Sequence, residues 1–208
     1  MIESIKQYCD QLVAEFGTIS TERKEILEKI SKYIVSKLKE NKESKLIYIC
    51  THNSRRSHFG QVWSKVAASY YGIDKIETFS GGVEVTAIHP NTLSAFERAG
   101  FKIIRLTEGD NPQNNVFFSE KEKPLKCFSK KFDDVSNPQK EFAAIMTCSE
   151  AESNCPFVSG AEIRISTTYE DPKEFDNTDL QDKMYDERSR QIALENLYVF
   201  SQVKSKNA

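Results

Sequence analysis

Apolar positions along this chain fall into two kinds of run. Short continuous stretches near 46–50, 76–79, 142–147 and 161–166 have strand length, and residues near 58–71, 90–99 and 178–203 repeat apolar side chains at helical spacing. Strands alternating with helices predict an α/β fold: a central parallel four-stranded sheet with helices on both faces. Gly72 and Gly100 stand where helix C-terminal glycines belong. Ahead of this alternation, residues 1–44 hold two amphipathic patterns: Ile5, Cys9, Leu12, Val13 and Phe16, then Ile26, Leu27, Ile30, Ile34 and Leu38 behind a cap at Ser20 or Thr21. They read as an N-terminal helical extension to a domain over 45–208. Isolated helices of this length are marginal in water, so the extension must pack on that domain or on another subunit, as in a homodimer.

The pattern changes near 101–140. FKIIRLT and NVFFS have the look of two short strands joined by EGDNPQNN, and the lysine-rich SEKEKPLKCFSKKFDD follows. This is an insertion, read either as a hairpin at the sheet edge with lysines blunting that edge, or as a solvated, variable loop. The loop is the expectation.

Composition narrows the class. At 208 residues the chain is long enough for one sizeable core with an appendage. A net charge of −2, with no basic run interleaved with aromatics, argues against nucleic acid as a partner. No apolar stretch nears the roughly 18 residues of a membrane span, and no secretion-signal pattern is present. Five cysteines, an odd number, then point to the cytoplasm and to thiol chemistry rather than a disulfide framework. Cys9 and Cys127 are assigned no chemical role.

The candidate chemistry begins where the first strand ends. Residues 46–60 read LIYICTHNSRRSHFG: an apolar run closes on Cys50, a polar turn follows, and Phe59, Val62, Trp63 and Val66 begin a helical repeat. A strand–turn–helix of this kind aims successive amides and the positive end of a helix dipole at one point, where a tetrahedral oxyanion fits. Thr51, His52, Asn53, Ser54, Arg55, Arg56 and Ser57 are the oxyanion-binding candidates. Arg56 closes on two oxygens with its planar fork, a geometry lysine lacks. The same positive field favours the thiolate of Cys50 below the roughly 8.5 of a free cysteine, making it the nucleophile, and Ser57 is placed to donate to its sulfur. Arg55 adds positive charge, and His52 is read as an outward-pointing loop residue rather than a base. The bland alternative is a buried strand-end cysteine followed by solvated arginines; strand, turn and helix in this order favour the functional reading.

Two further segments carry candidates. In AAIMTCSEAESNCP, Cys148 follows an apolar run and Cys155 lies seven positions later. The two admit three readings: ordinary core and surface cysteines, a metal site, or a thiol–disulfide pair. Zinc prefers tighter cysteine spacing and four ligands, which His52, His58 and His89 do not obviously complete. A disulfide needs Cα atoms within about 7 Å, whereas a helix over 148–155 holds them about 10 Å apart, so that segment would have to loop or unwind. In TTYEDPKEF, Asp171 precedes Pro172 and is a candidate general acid, or simply a turn aspartate stiffened by proline.

CTHNSRRS resembles the anion-binding loop of the low-molecular-weight protein tyrosine phosphatases and, more closely, of their relatives the thioredoxin-coupled arsenate reductases. The likeness spans about residues 45–200 with gaps and takes in Trp63, the SGG of residues 80–82 and HPNTLSAFERAGF. It implies the phosphatase-like fold, Asp171 as the general acid, and Cys148 and Cys155 as a redox pair: Cys148 attacks the sulfur of Cys50 and Cys155 then attacks Cys148. It implies no bound cofactor or metal, arsenate or a phosphate-like oxyanion as substrate, and thioredoxin as external reductant. Two departures stand out. Arg55 occupies a position where arsenate reductases often have a further cysteine, and Lys173 and Glu174 follow Asp-Pro where phosphotyrosine-specific members carry aromatics. The second weakens a tyrosine phosphatase, which stays as the first rival to an arsenate reductase; a non-catalytic arsenite binder or redox sensor is the second.

Overall fold

Leu46, Ile47, Tyr48 and Ile49 are all buried, and that requires apolar cover on both faces of their strand. The computed structural model, which describes residues 1–154 and 157–206, supplies it. In chain order the elements are α1 (Glu3–Val13), α2 (Thr21–Lys39), β1 (Ser44–Cys50), α3 (Arg56–Tyr70), β2 (Ile76–Gly82), α4 (Pro90–Arg98), β3 (Lys102–Arg105), β4 (Asn114–Phe117), β5 (Leu125–Cys127), β6 (Phe142–Met146), α5 (Ser149–Asn154), β7 (Ala161–Ser166) and α6 (Gln181–Lys206). Four of the strands form an all-parallel sheet in the order β2-β1-β6-β7.

Period-two alternation sorts β1 between two clusters. Leu46 and Tyr48 join the large core under α3 and α6, while Ile47 and Ile49 pack with Ala144, Met146, Ala151 and Val158 on the other face. Helices lie on both faces, unequally: α6 packs against α1, α2, α3 and α4 on one side, and the six-residue α5 serves the other. Gly60 lets α3 approach β1 closely, because a Cβ there would lie 2.2 Å from the Tyr48 ring. Buried polar groups are paired across this interface: Tyr48 donates to Asn196 Oδ1 at 2.7 Å and Trp63 Nε1 to Ser189 Oγ at 2.9 Å.

The N-terminal helices pack within the chain. Ile5, Cys9 and Leu12 of α1 and Leu27, Ile30 and Ile34 of α2 are buried in the large core, and Ser20 caps α2 by accepting from the Arg23 amide. Both helices pack against the protein's own α6.

The 101–140 insertion corrects the expectation of a solvated loop. β3, β4 and β5 form a separate antiparallel sheet rather than a hairpin on the edge of the main one. Val116, Phe118 and Cys127 reach into the large core, and Ser129 and Lys130 of the polar stretch and Asn137 just after it are buried too. Three short strands with alternate side chains turned inward can bury an apolar face that a loop would leave wet. The lysine count of the segment concealed this.

Candidate active site

Parallel registry brings the candidates to one end of the sheet. Cys50 pairs with Gly82 and Ile49 with Met146, so the chain leaving β1 and the chain leaving β6 emerge side by side at the C-terminal ends of the strands, where α/β sheets commonly bind ligands. Residues 51–55 make the turn and Arg56 opens α3. Among the described residues, the amides of residues 52–55 donate to no other protein group, so they remain free for an anion at the positive end of a fifteen-residue helix.

Asn53 holds this turn in shape. It is buried with φ +46°, a left-handed conformation that asparagine tolerates better than most residues. Its Oδ1 accepts from the Lys130 amide at 2.9 Å, which fixes the side-chain orientation, and its Nδ2 donates to Ser57 Oγ at 2.9 Å. Ser57 Oγ lies 3.0 Å from Cys50 Sγ. Since Asn53 fills the acceptor role of that hydroxyl, the Ser57 proton points to the sulfur, the arrangement that stabilises a thiolate. Behind the turn, His58 Nε2 faces the Asn53 carbonyl at 2.9 Å and must carry the proton, leaving Nδ1 to accept from Ser80 Oγ at 3.3 Å. Burial, with a smaller contribution from the Lys130 charge, pushes the His58 pKa down to about 3.

Arg56 and Asp171 meet over the turn. Arg56 Nη2 donates to Asp171 Oδ2 at 2.5 Å and Nη1 to the Tyr169 carbonyl at 2.8 Å; among the described residues its buried Nε has no partner. Asp171 Oδ1 accepts from the Lys173 amide at 3.1 Å, capping the 3₁₀ turn Pro172–Phe175. The Asp-Pro segment therefore folds over the anion loop.

Cys148 immediately precedes α5. Its Sγ receives the Ala151 amide at 3.3 Å and lies 3.4 Å from Thr51 Oγ1, so it adjoins the residue next to Cys50. Thr51 also donates to Glu150 Oε2 at 2.9 Å. Cys155 lies outside the described residues. His52, Arg56, Cys148, Glu150, Tyr169 and Asp171 help to line a cavity of about 410 Å³.

The remaining loop residues are placed as follows. His52 is half-exposed, with Nε2 3.4 Å from Glu84 Oε2, consistent with an outward-pointing residue. Ser54 is buried, its carbonyl accepting from the His89 amide and Thr92 Oγ1. The Arg55 side chain donates from Nε to Tyr185 Oη at 2.6 Å and from Nη2 to Asp176 Oδ2 at 3.2 Å, and its Nε lies 3.9 Å from Asp171 Oδ1, so its charge stands at the mouth of the loop already paired. Burial makes that pairing necessary, because a desolvated guanidinium needs a counter-charge. Asp176, Tyr185, Glu150 and Ser129 were not among the sequence candidates; Glu150 and Asp176 lie within five residues of the candidates Cys148 and Asp171, while Tyr185 and Ser129 reach the site from distant segments, and no local pattern marks any of the four. Among the described residues no group of three or more His, Cys, Asp or Glu side chains is placed to hold a metal, and no helix is long and apolar enough to cross a membrane.

No protein-family model matches the chain. Curated relatives do: arsenate reductase 2 of Staphylococcus epidermidis is 25% identical over 131 residues, covering 62% of this chain and 80% of that protein. Arsenate reductase of Halalkalibacterium halodurans is 26% identical over 136 residues, covering 65% and 79%. Among solved structures, a low-molecular-weight phosphotyrosine phosphatase from Vibrio cholerae matches with a TM-score of 0.54 over 79% of this chain and 99% of its own, at 10% identity. An arsenate reductase in the phosphate-binding state gives 0.50 over 77% and 98%, at 16% identity. The protein thus has the fold of the low-molecular-weight phosphotyrosine phosphatases, and the two curated relatives named above are arsenate reductases.

Proposed function

We propose that the protein reduces arsenate to arsenite through a thiol relay. Arsenate settles on the free amides of residues 52–55 and on Arg56. The Cys50 thiolate attacks arsenic, forming a sulfur–arsenic bond, and an arsenic–oxygen bond breaks as Asp171 protonates the departing hydroxide to water. The Cys148 thiolate then attacks Cys50 Sγ; the sulfur–arsenic electron pair stays on arsenic, which leaves as arsenite, and a Cys50–Cys148 disulfide remains. Cys155 attacks Cys148, a step that requires the intervening α5 (Ser149–Asn154) to unwind, freeing the Cys50 thiolate and leaving a Cys148–Cys155 disulfide. An external dithiol of thioredoxin type, in the cytoplasm, reduces that bond.

The observation that carries this reading is the contact of Cys148 with Thr51, which sets a second thiol beside the nucleophile's loop. A phosphatase needs no such thiol. The test is NADPH oxidation with purified protein, arsenate, thioredoxin and thioredoxin reductase: wild-type protein turns over many times, and Cys155→Ser stops sustained turnover. A yield near one arsenite per protein would instead indicate a binder.

Phosphoester hydrolysis is the second reading, favoured by the meeting of Arg56 and Asp171 over Cys50's loop. It requires those three residues alone. Cys148→Ser separates the two reactions, abolishing sustained arsenate reduction and sparing hydrolysis of para-nitrophenyl phosphate; equal loss of both contradicts the relay.

A further inference from the structure

The buried polar stretch of the insertion touches the nucleophile's loop at two points. Ser129 Oγ donates to the His52 carbonyl at 3.0 Å, and the Lys130 amide donates to Asn53 Oδ1 at 2.9 Å. Asn111 holds this stretch by a reciprocal pair, Nδ2 donating to the Ser129 carbonyl at 2.8 Å and Oδ1 accepting from the Ser129 amide at 3.1 Å. Backbone bonds from Gly82 to the Lys130 carbonyl at 2.8 Å and from Phe132 to the Gly82 carbonyl at 3.0 Å tie it to the end of β2. Gly82 itself is pressed against the turn, since a Cβ there would lie 2.7 Å from the Asn53 amide nitrogen.

We propose that the 101–140 insertion positions the nucleophile, with Asn111 and Ser129 as positioning residues that act on Cys50 through Asn53 and Ser57. The path is continuous: Lys130 amide to Asn53 side chain, Asn53 to Ser57 hydroxyl, Ser57 to Cys50 sulfur. Ser129, Lys130, Asn53 and Ser57 are all buried, so water offers no substitute for a broken link. Loss of the Lys130 link leaves Asn53 free to turn its amide, and Ser57 then has no fixed proton to give the thiolate. Neither Asn111 nor Ser129 touches the sulfur.

This inference rests on Cys50 being the nucleophile, and the test separates the two. The full-length protein is alkylated with iodoacetamide across pH, and labelling of each cysteine is followed by mass spectrometry. Inorganic phosphate slowing Cys50 labelling in the wild-type protein supports the site; without that protection the site reading falls and this inference with it. Given protection, Ser129→Ala and Asn111→Ala should slow Cys50 labelling at pH 7 about fivefold, the size of one ordinary hydrogen bond. The midpoint of the Cys50 profile should move upward, Cys127 should stay unlabelled, and Ser129→Thr, which keeps the hydroxyl, should restore the wild-type profile. An unchanged Cys50 profile overturns the proposal. So does slowing accompanied by Cys127 labelling, which marks a general loosening of the fold.

Discussion

Arg56 and Asp171, 115 positions apart in sequence, meet at 2.5 Å across the mouth of the anion loop. The group expected to bind the oxyanion and the group expected to protonate its leaving oxygen are therefore partners of each other. An incoming dianion competes with Asp171 for the guanidinium and is repelled by the carboxylate. Asp171→Asn should accordingly bind inorganic phosphate more tightly than wild type in calorimetry, while losing about 100-fold or more of phosphoester hydrolysis, as expected when a general acid is removed. Weaker phosphate binding in the variant would show that Asp171 serves to orient Arg56 instead.

Glu150 decides which way the Thr51 proton points. A carboxylate only accepts, so Thr51 donates to Glu150, and any hydrogen bond between Thr51 and Cys148 must then come from the thiol. Glu150→Gln supplies an amide that can donate to Thr51, releasing its proton toward Cys148 Sγ. Cys148 should then be alkylated at neutral pH about fivefold faster, a change worth one hydrogen bond. An unchanged or slower rate would remove Glu150 from control of this thiol.

His58 makes the fold acid-sensitive. Its pKa is about 3 in the folded protein against 6.5 for the free side chain, so the unfolded chain binds a proton that the folded one refuses. Stability from this group is full above pH 6.5 and falls on acidification by about 1.4 kcal/mol per pH unit until pH nears 3. Urea titrations of the wild-type protein and His58→Gln from pH 7 to 4 should diverge by this slope, whatever the variant does to stability at pH 7.

Gly60 is a packing requirement of the α3–β1 contact. The Cβ of Gly60→Ala would meet three atoms of the Tyr48 ring within 2.9 Å, and that ring is anchored through its hydroxyl to Asn196. Overpacking of this kind costs about 3 kcal/mol, and the expected fall in Tm is roughly 10 °C for a chain of this size. Since α3 opens at Arg56, the same variant should also weaken phosphate protection of Cys50.

The local pattern determined much of this protein. Strand runs, helical repeats and the strand–turn–helix at Cys50 depend on neighbours within a few residues, and the four parallel strands, α3, α4, α6 and the Ser57 to Cys50 contact all lie where that pattern puts them. The approach of Asp171 to Arg56 and of Cys148 to Thr51 was legible only through the resemblance. Tertiary structure alone decided the rest. Ser129 and Lys130 sit in a lysine-rich stretch that reads as solvent-facing, yet they brace the anion loop because Val116, Phe118 and Cys127 drag the insertion into the core. The partners of the Arg55 side chain, Asp176 and Tyr185, come from segments that no local pattern joins to the loop. The physical reason is common to both cases: a buried hydrogen bond or charge must find its partner wherever the chain comes close, and chain proximity at long range is set by packing of the whole fold.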